Sequence, residues 1–259
     1  MNRLLSLSVF GMIGSAASCL AFDAIVLERA LTLGVCEHCD FAKAPLKGID
    51  FSKVKLDDST FEAADLSGAR LRDCNHCDFT GANLSGADLE GAALDEAVFR
   101  AAGLPGANLR GAYIHHAKFP GANFTGADLS KTTLEKGDFT GCNLTKADLT
   151  GAKLEKATFT GAQVKGAVFS FAELNKVNLS KLDFEGAVFR GASLKRAILK
   201  GANLSGADFT GADLSDATFG KKTVFNTMTN ALEDTDAPIT CADLAKAGAI
   251  FDAATKCGN

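Results

Sequence analysis

The sequence predicts a four-sided solenoid with short helical caps. Two nested periodicities, and one break in them, carry that prediction. From Phe79 to Phe219 a large apolar residue returns at every fifth position, and these 29 positions hold 16 Leu, 11 Phe, Ile114 and Val164. Two residues before them stands Ala in 23 of 29 cases, as in Ala82-Asn83-Leu84-Ser85-Gly86. A period of five fits neither the helical 3.6 nor the strand alternation of two. It fits side chains that point inward once per short straight segment, with a corner between segments. Phe79, Phe99, Phe119, Phe139 and Phe159 are spaced by 20. Leu94, Ile114, Leu134, Leu154, Leu174, Leu194 and Leu214 form a second column at the same spacing, without an aromatic. Residues stacked on one wall recur once per turn, so each turn holds four segments.

An earlier run keeps the same beat through Phe41, Leu46, Phe51, Leu56, Phe61, Leu66 and Leu71. The step from Phe61 to Phe79 is 18, so one coil is short by two residues, and the cut falls at Cys74-Asn75-His76-Cys77. Residues 36–78 therefore form a first run and 79–221 the main solenoid. Val177 and Leu182 occupy consecutive slots meant for Ala. Overpacking of that kind costs about 1–3 kcal/mol unless the backbone yields, which predicts a widened or kinked coil at 175–185. Cys142 stands in another Ala slot, facing inward, as a small buried hydrophobe and the unpaired thiol.

The repeated Ala-(Asp/Asn)-(Leu/Phe)-(Ser/Thr)-Gly through residues 39–219, about 70% of the chain in 36 repeats, resembles the pentapeptide-repeat family. The resemblance implies an all-β fold: a right-handed quadrilateral parallel β-helix with Leu/Phe and Ala side chains inside. Ala is small enough to sit beside the large residue, and coils stack through backbone hydrogen bonds at about 4.8 Å. Nine turns then make a rod of roughly 43 Å. Each buried Leu or Phe contributes about 1.5–3 kcal/mol, but no single turn buries its apolar face alone.

The ends read differently. Residues 1–21 have the form of a signal peptide: Arg3, then an apolar, charge-free run from Leu4 to Ala17, then small residues before Phe22. The apolar run is too short for a transmembrane span. The rival reading is a lipoprotein box, Ala16-Ala17-Ser18-Cys19, with a lipid anchor at Cys19. Removing residues 1–21 changes the net charge from −4 to −5, with 26 basic against 31 acidic residues, and leaves seven cysteines. The expected location is periplasmic or extracellular, where cysteines pair. An odd count leaves one over. Within 22–35, residues 23–33 form the pattern of a short amphipathic helix, with Asp23 as N-cap, Gly34 as stop, and Leu27 and Leu31 over the first coil. In the tail, 222–259, Thr240–Thr255 reads as a second capping helix with Thr240 and Asp243 as a capping box. Ala242–Lys246 reads equally well as one more repeat. A continuous helix holds Cys241 and Cys257 about 24 Å apart, so either the helix breaks, with Gly248 the place for it, or these cysteines pair otherwise.

The most specific non-repeat feature is the duplicated C-x-H-C-D-F, at Cys36-Glu37-His38-Cys39 and Cys74-Asn75-His76-Cys77. It resembles the C-x-x-C-D-L start of many exported family members. The favoured reading is a structural clip, with Cys36, Cys39, Cys74, Cys77, Cys241 and Cys257 as disulfide candidates. The functional alternative is zinc on Cys36, His38, Cys39, Cys74, His76 and Cys77. The two motifs lie two turns apart, about 10 Å, and each lacks a fourth ligand. A thioredoxin-type pair needs its first Cys at a helix N-terminus. His115-His116 fall at a corner, outward, as a solvated turn. The Asp/Asn columns (Asp88, Asn108, Asp128, Asp148; Asn83, Asn123, Asn143) read as satisfying corner backbone; the alternative is a cation-binding or phosphate-mimicking face.

No Ser/His/Asp arrangement, Walker or Rossmann glycine pattern is present, and a filled rod has no interior pocket. The prediction is a protein without catalytic residues or cofactor. With no Trp, one Tyr and a mildly acidic balance, nucleic-acid binding is not expected. The expected function is an exported scaffold for an unidentified protein partner, with a homodimer through an end cap as a further option. The resemblance also brings a second reading, a DNA-mimicking protector of gyrase. That reading needs a cytoplasmic location and a strongly negative surface, which interspersed Lys and Arg oppose.

Overall fold

Corner chemistry sets the architecture. In most repeats the N–H two residues before one large apolar residue donates to the carbonyl of the preceding one, as Ala82 N–H does to Phe79 O at 2.9 Å and Ala87 N–H to Leu84 O at 3.0 Å. The residue just before that donor has positive φ: Gly81 at 67°, Gly86 at 62°. A turn of type II requires this at its third position, which explains Gly as the fifth residue of the repeat. Where an Asp or Asn precedes the large apolar residue, its side chain closes the same corner: Asp78 Oδ1 accepts from Thr80 N–H at 2.8 Å and Asp128 Oδ1 from Ser130 N–H at 2.8 Å. The Asp and Asn columns are therefore largely occupied with their own backbone.

The computed structural model describes residues 24–226, 231–238, 241–246, 248–251 and 255–257. These residues form a right-handed, four-sided parallel β-helix. Most sides are two or three residues long and join the next coil by one parallel bridge, in chains such as Asp88↔Asn108, Asn108↔Asp128 and Asp128↔Asp148. Every Leu, Phe, Ile and Val at the five-residue beat from Phe41 to Phe219 is buried. Phe41, Phe61, Phe79, Phe99, Phe119, Phe139 and Phe159 stack on one wall, with successive ring centroids 4.7–5.4 Å apart. Phe169, Phe189 and Phe209 make a second stack on another wall.

The short coil keeps the column because the deficit is absorbed on a different side. Strand β1 (Asp50–Lys55) pairs in parallel with β2 (Arg70–Asp73). Phe51 opposes Leu71 and Lys55 opposes Asp73, so residues 52–54 lie against Arg72 alone. The next side then starts early, with Cys74 buried in the place a Leu takes one coil above.

Helix α1 (Ala24–Leu33) lies against the first coil, burying Leu27 and Ala30 and partly burying Leu31. It stops at Gly34, whose φ is +72° and whose N–H donates to Ala30 O at 2.9 Å. Residues 1–21, with Cys19 and its leader or lipid-anchor reading, and Asp23 lie outside the described residues, as does Thr240.

The tail departs from a single helix over 240–255. After β3 (Asp213–Leu214) comes an antiparallel hairpin, β4 (Lys221–Asn226) with β5 (Ala231–Pro238), then helix α2, which covers only Cys241–Lys246. Ala242–Lys246 is thus helical and not another repeat. The helix ends before Gly248, at φ +96°, because the following Ala249-Ile250-Phe251 is itself a repeat fragment that returns to the rod. Ile250 bridges Asp208, Phe251 stacks on Phe209 at 5.4 Å, and β6 (Lys256–Cys257) pairs with β3. The apolar edge of the last coil gains more from that match than from a longer exposed helix.

Candidate functional site

The cysteine motifs close corners. Cys36 bonds Cys39 and Cys74 bonds Cys77, with Cα atoms 5.6 and 5.4 Å apart. Cys74 and Cys77 are fully buried. Between the two clips in the stack sits Ser59, whose hydroxyl donates to Cys36 O at 2.8 Å and accepts from Cys39 N–H at 3.0 Å. His38 and His76 turn the corners at φ 56° and 57°. With their sulfurs paired, Cys36, Cys39, Cys74 and Cys77 offer no thiolate donors in this arrangement, and of the zinc alternative's residues only the His38 and His76 imidazoles keep a donor. Among the described residues no group of three or more His, Cys, Asp or Glu is arranged to hold a metal ion. Cys241 is also disulfide-bonded, while the side chain of Cys257 lies outside the described ones.

Cys142 is the free cysteine among the described residues, buried with its thiol 2.9 Å from Phe119 O. Burial pushes its pKa up to about 12, leaving about one thiolate in ten thousand at pH 8. Iodoacetamide at pH 8 is expected to leave Cys142 unmodified in the folded protein and to alkylate it after denaturation, read by peptide mass. Rapid labelling of the native chain would show that the Ala column is open there.

The outer charges form local pairs between coils. Arg72 reaches Asp88 at 3.1 Å, and Arg190 reaches Asp208 at 2.5 Å. Burial raises the pKa of Asp208, but hydrogen bonds from Thr210 and Arg190 outweigh it and hold the carboxyl below its usual range. His115 is more than a solvated turn. Its Nδ1 lies 3.0 Å from Asp95 and its Nε2 3.3 Å from Glu135, one coil to either side. Reading the sequence in rows of 20 shows this column, Asp95-His115-Glu135; reading it linearly does not.

Among the described residues, coils within the rod part at the overpacked repeats. Leu154 N–H donates to Glu173 O at 3.0 Å, and the ladder resumes with Gly166 N–H on Glu185 O at 3.0 Å. Between them Lys156, Phe159, Gly161 and Val164 make no backbone bond to the coil above, and Asn178 and Asp183 make none to the coil below. The equivalent bonds one coil earlier, such as Phe139 N–H to Thr158 O and Leu144 N–H to Gln163 O, are 2.8 and 2.7 Å. Val177 and Leu182 remain buried in their Ala slots, and Ala157 and Ala162 below them are each 6% exposed, where most Ala slots are sealed. The extra methyl groups have thus lifted two sides of a coil rather than turning outward, since burial outweighs the unmade bonds. The resulting cleft holds about 710 Å³ and is lined by Thr160, Gln163, Asn178, Ser180, Lys181 and Asp183, among others. At its edge Lys165 and Glu185 pair at 2.7 Å across the coils.

A filled four-sided β-rod with corner disulfides and a lateral cleft defines a non-globular repeat protein. The pentapeptide-repeat sequence profile matches eight copies over residues 36–75, 77–113, 107–145, 142–180, 156–191 and 183–220. The chain belongs to the pentapeptide-repeat family.

Among solved structures it is similar to HetL from the cyanobacterium Nostoc sp. strain PCC 7120, a protein involved in heterocyst differentiation regulation: 28% identity, TM-score 0.43, covering 76% of this chain and 92% of that one. It is also similar to QnrB1, a plasmid-mediated fluoroquinolone resistance protein, at 20% identity and TM-score 0.45, covering 85% and 92%. A pentapeptide-repeat protein of the Arabidopsis thaliana thylakoid lumen shares 40% identity over 36% of this chain and 68% of that one, with TM-score 0.30. No curated protein matches the chain.

Proposed function

We propose that this protein is an exported, non-catalytic scaffold that binds a protein partner through the walls or ends of its rod. The observation that carries this reading is the filled interior. From Phe41 to Phe219 the large side chains at the five-residue beat are buried, and many outer Asp and Asn groups are bonded to corner backbone. What the rod offers a partner is long, regular surface rather than a reaction chamber. Export is favoured by the leader-like residues 1–21 and by cysteine pairs of the kind that persist in oxidising compartments.

The test is fractionation followed by cross-linked capture. The expected result is a chain shortened by about 21 residues in the exported fraction, cross-linked to one protein at residues mapped to one wall or end. Recovery of the full-length chain from the cytosol, with inhibition of gyrase supercoiling by the purified protein, would replace this reading with the DNA-mimic one.

A further inference from the structure

We propose that the cleft between residues 156–164 and 175–183 is a seat for a peptide segment that follows the coil's two sides and the corner between them, held by main-chain pairing along its two lips. This names the partner chemistry of the scaffold reading and rests on it. The lower lip carries N–H groups at Phe159, Gly161 and Val164, and carbonyls at Ala157 and Ala162, none bonded across the gap. The upper lip carries carbonyls at Asn178, Ser180 and Asp183, and N–H groups at Asn178 and Asp183.

Donors alone would select an anion, and acceptors alone a cation. Donors and acceptors interleaved on both lips match a polypeptide main chain in the β conformation, which presents the same two groups to each side. Half-buried backbone groups are costly to leave unpaired, so a strand that pairs them gains more here than on a finished wall. The volume of about 710 Å³ lies in the range of ligand clefts. The lining is mostly uncharged, with Phe159, Ala162, Val164 and Leu182 among neutral polar side chains, and Lys165 and Lys181 stand with Asp183, so the side chains ask for no strong charge in the occupant. A strand needs about 4.8 Å on each side, so the lips separate further on binding. The bonds at 154/173 and 166/185 act as the fixed ends of that opening.

The test uses amide hydrogen exchange on the full chain. The probe is an acetylated, amidated octapeptide copying residues 82–89, Ala-Asn-Leu-Ser-Gly-Ala-Asp-Leu, whose main chain already pairs along two sides and the corner between them. Without peptide, the amides of Phe159, Gly161, Val164, Asn178 and Asp183 are expected to exchange far faster than those of Phe139 and Leu144. At ten times its Kd the octapeptide is expected to slow them about tenfold. An analogue N-methylated at alternate residues keeps the side chains and is expected to have no effect. In V177A/L182A, which restores Ala to both slots, the same amides are expected to be slow without peptide and the octapeptide to lose binding.

Slow exchange in the unliganded wild type, or equal protection by the methylated analogue, overturns the proposal. So does a lack of protection by saturating octapeptide. Should the cross-linked partner be captured equally by V177A/L182A, the seat falls while the scaffold reading stands. Should no partner be captured by either form, the scaffold reading itself falls.

Discussion

Phe119→Ala is expected to lower the unfolding free energy by about 3–5 kcal/mol, the cost of emptying a large slot in a core that cannot collapse around it. Phe119 touches three rings, stacking on Phe99 at 5.4 Å and Phe139 at 4.7 Å and meeting Phe124 edge-on at 5.3 Å. The walls are fixed by hydrogen bonds on both sides of the coil, so neighbours have little freedom to move in. A solenoid is stabilised by repeat-to-neighbour terms, so the variant is also expected to melt in two steps, as the blocks on either side lose their coupling. Circular dichroism during urea unfolding checks both points. Phe171→Ala is the control: that side chain is 68% exposed at φ +59°, and its loss is expected to change stability by less than about 0.5 kcal/mol. A loss below about 1 kcal/mol at Phe119 would contradict a filled interior.

Removing the second clip as Cys74→Ala/Cys77→Ala is expected to cost about 2 kcal/mol through the freed unfolded chain alone, since the closed loop is very short. The loss adds to that, because Cys74 fills a large-residue slot and Cys77 an Ala slot in the only shortened coil among the described residues. The effect should be local: proteolysis and amide exchange rise over the first run, residues 36–78, and stay unchanged beyond the Phe139 coil. Dithiothreitol added to the wild type is expected to loosen the first run at least as much, since it reduces Cys36–Cys39 as well, and it also cleaves the bond at Cys241 in the tail. If reduction leaves the first run as protected as before, the disulfides are dispensable and the link between folding and an oxidising compartment is lost.

Much of this molecule is readable residue by residue. The five-residue beat names the buried side chains, because every coil turns the same position of each repeat inward. The 20-residue spacing names the walls. Cys142 and the overpacked pair Val177 and Leu182 were visible as misfits in the Ala column, and so was Gly248 as the place for a break in the tail helix. The His115 pairs were not, since Asp95 and Glu135 approach it only when three coils stack. Nor was Ala249-Ile250-Phe251 as a returning coil, separated from its partner Phe209 by a hairpin and a helix.

The sequence by itself determined which side chains go inside, how many sides a turn has, and where packing is violated, because those depend on spacing along one chain. Only the tertiary structure decided how the violation is relieved. Val177 and Leu182 had the choice of turning outward, distorting their own side, or parting two coils. The outcome is set by the balance between buried methyl groups and ladder bonds summed over two stacked turns. That sum belongs to the stack and to no single repeat, which is why the cleft, and the peptide seat proposed for it, emerge only when the coils are laid on one another.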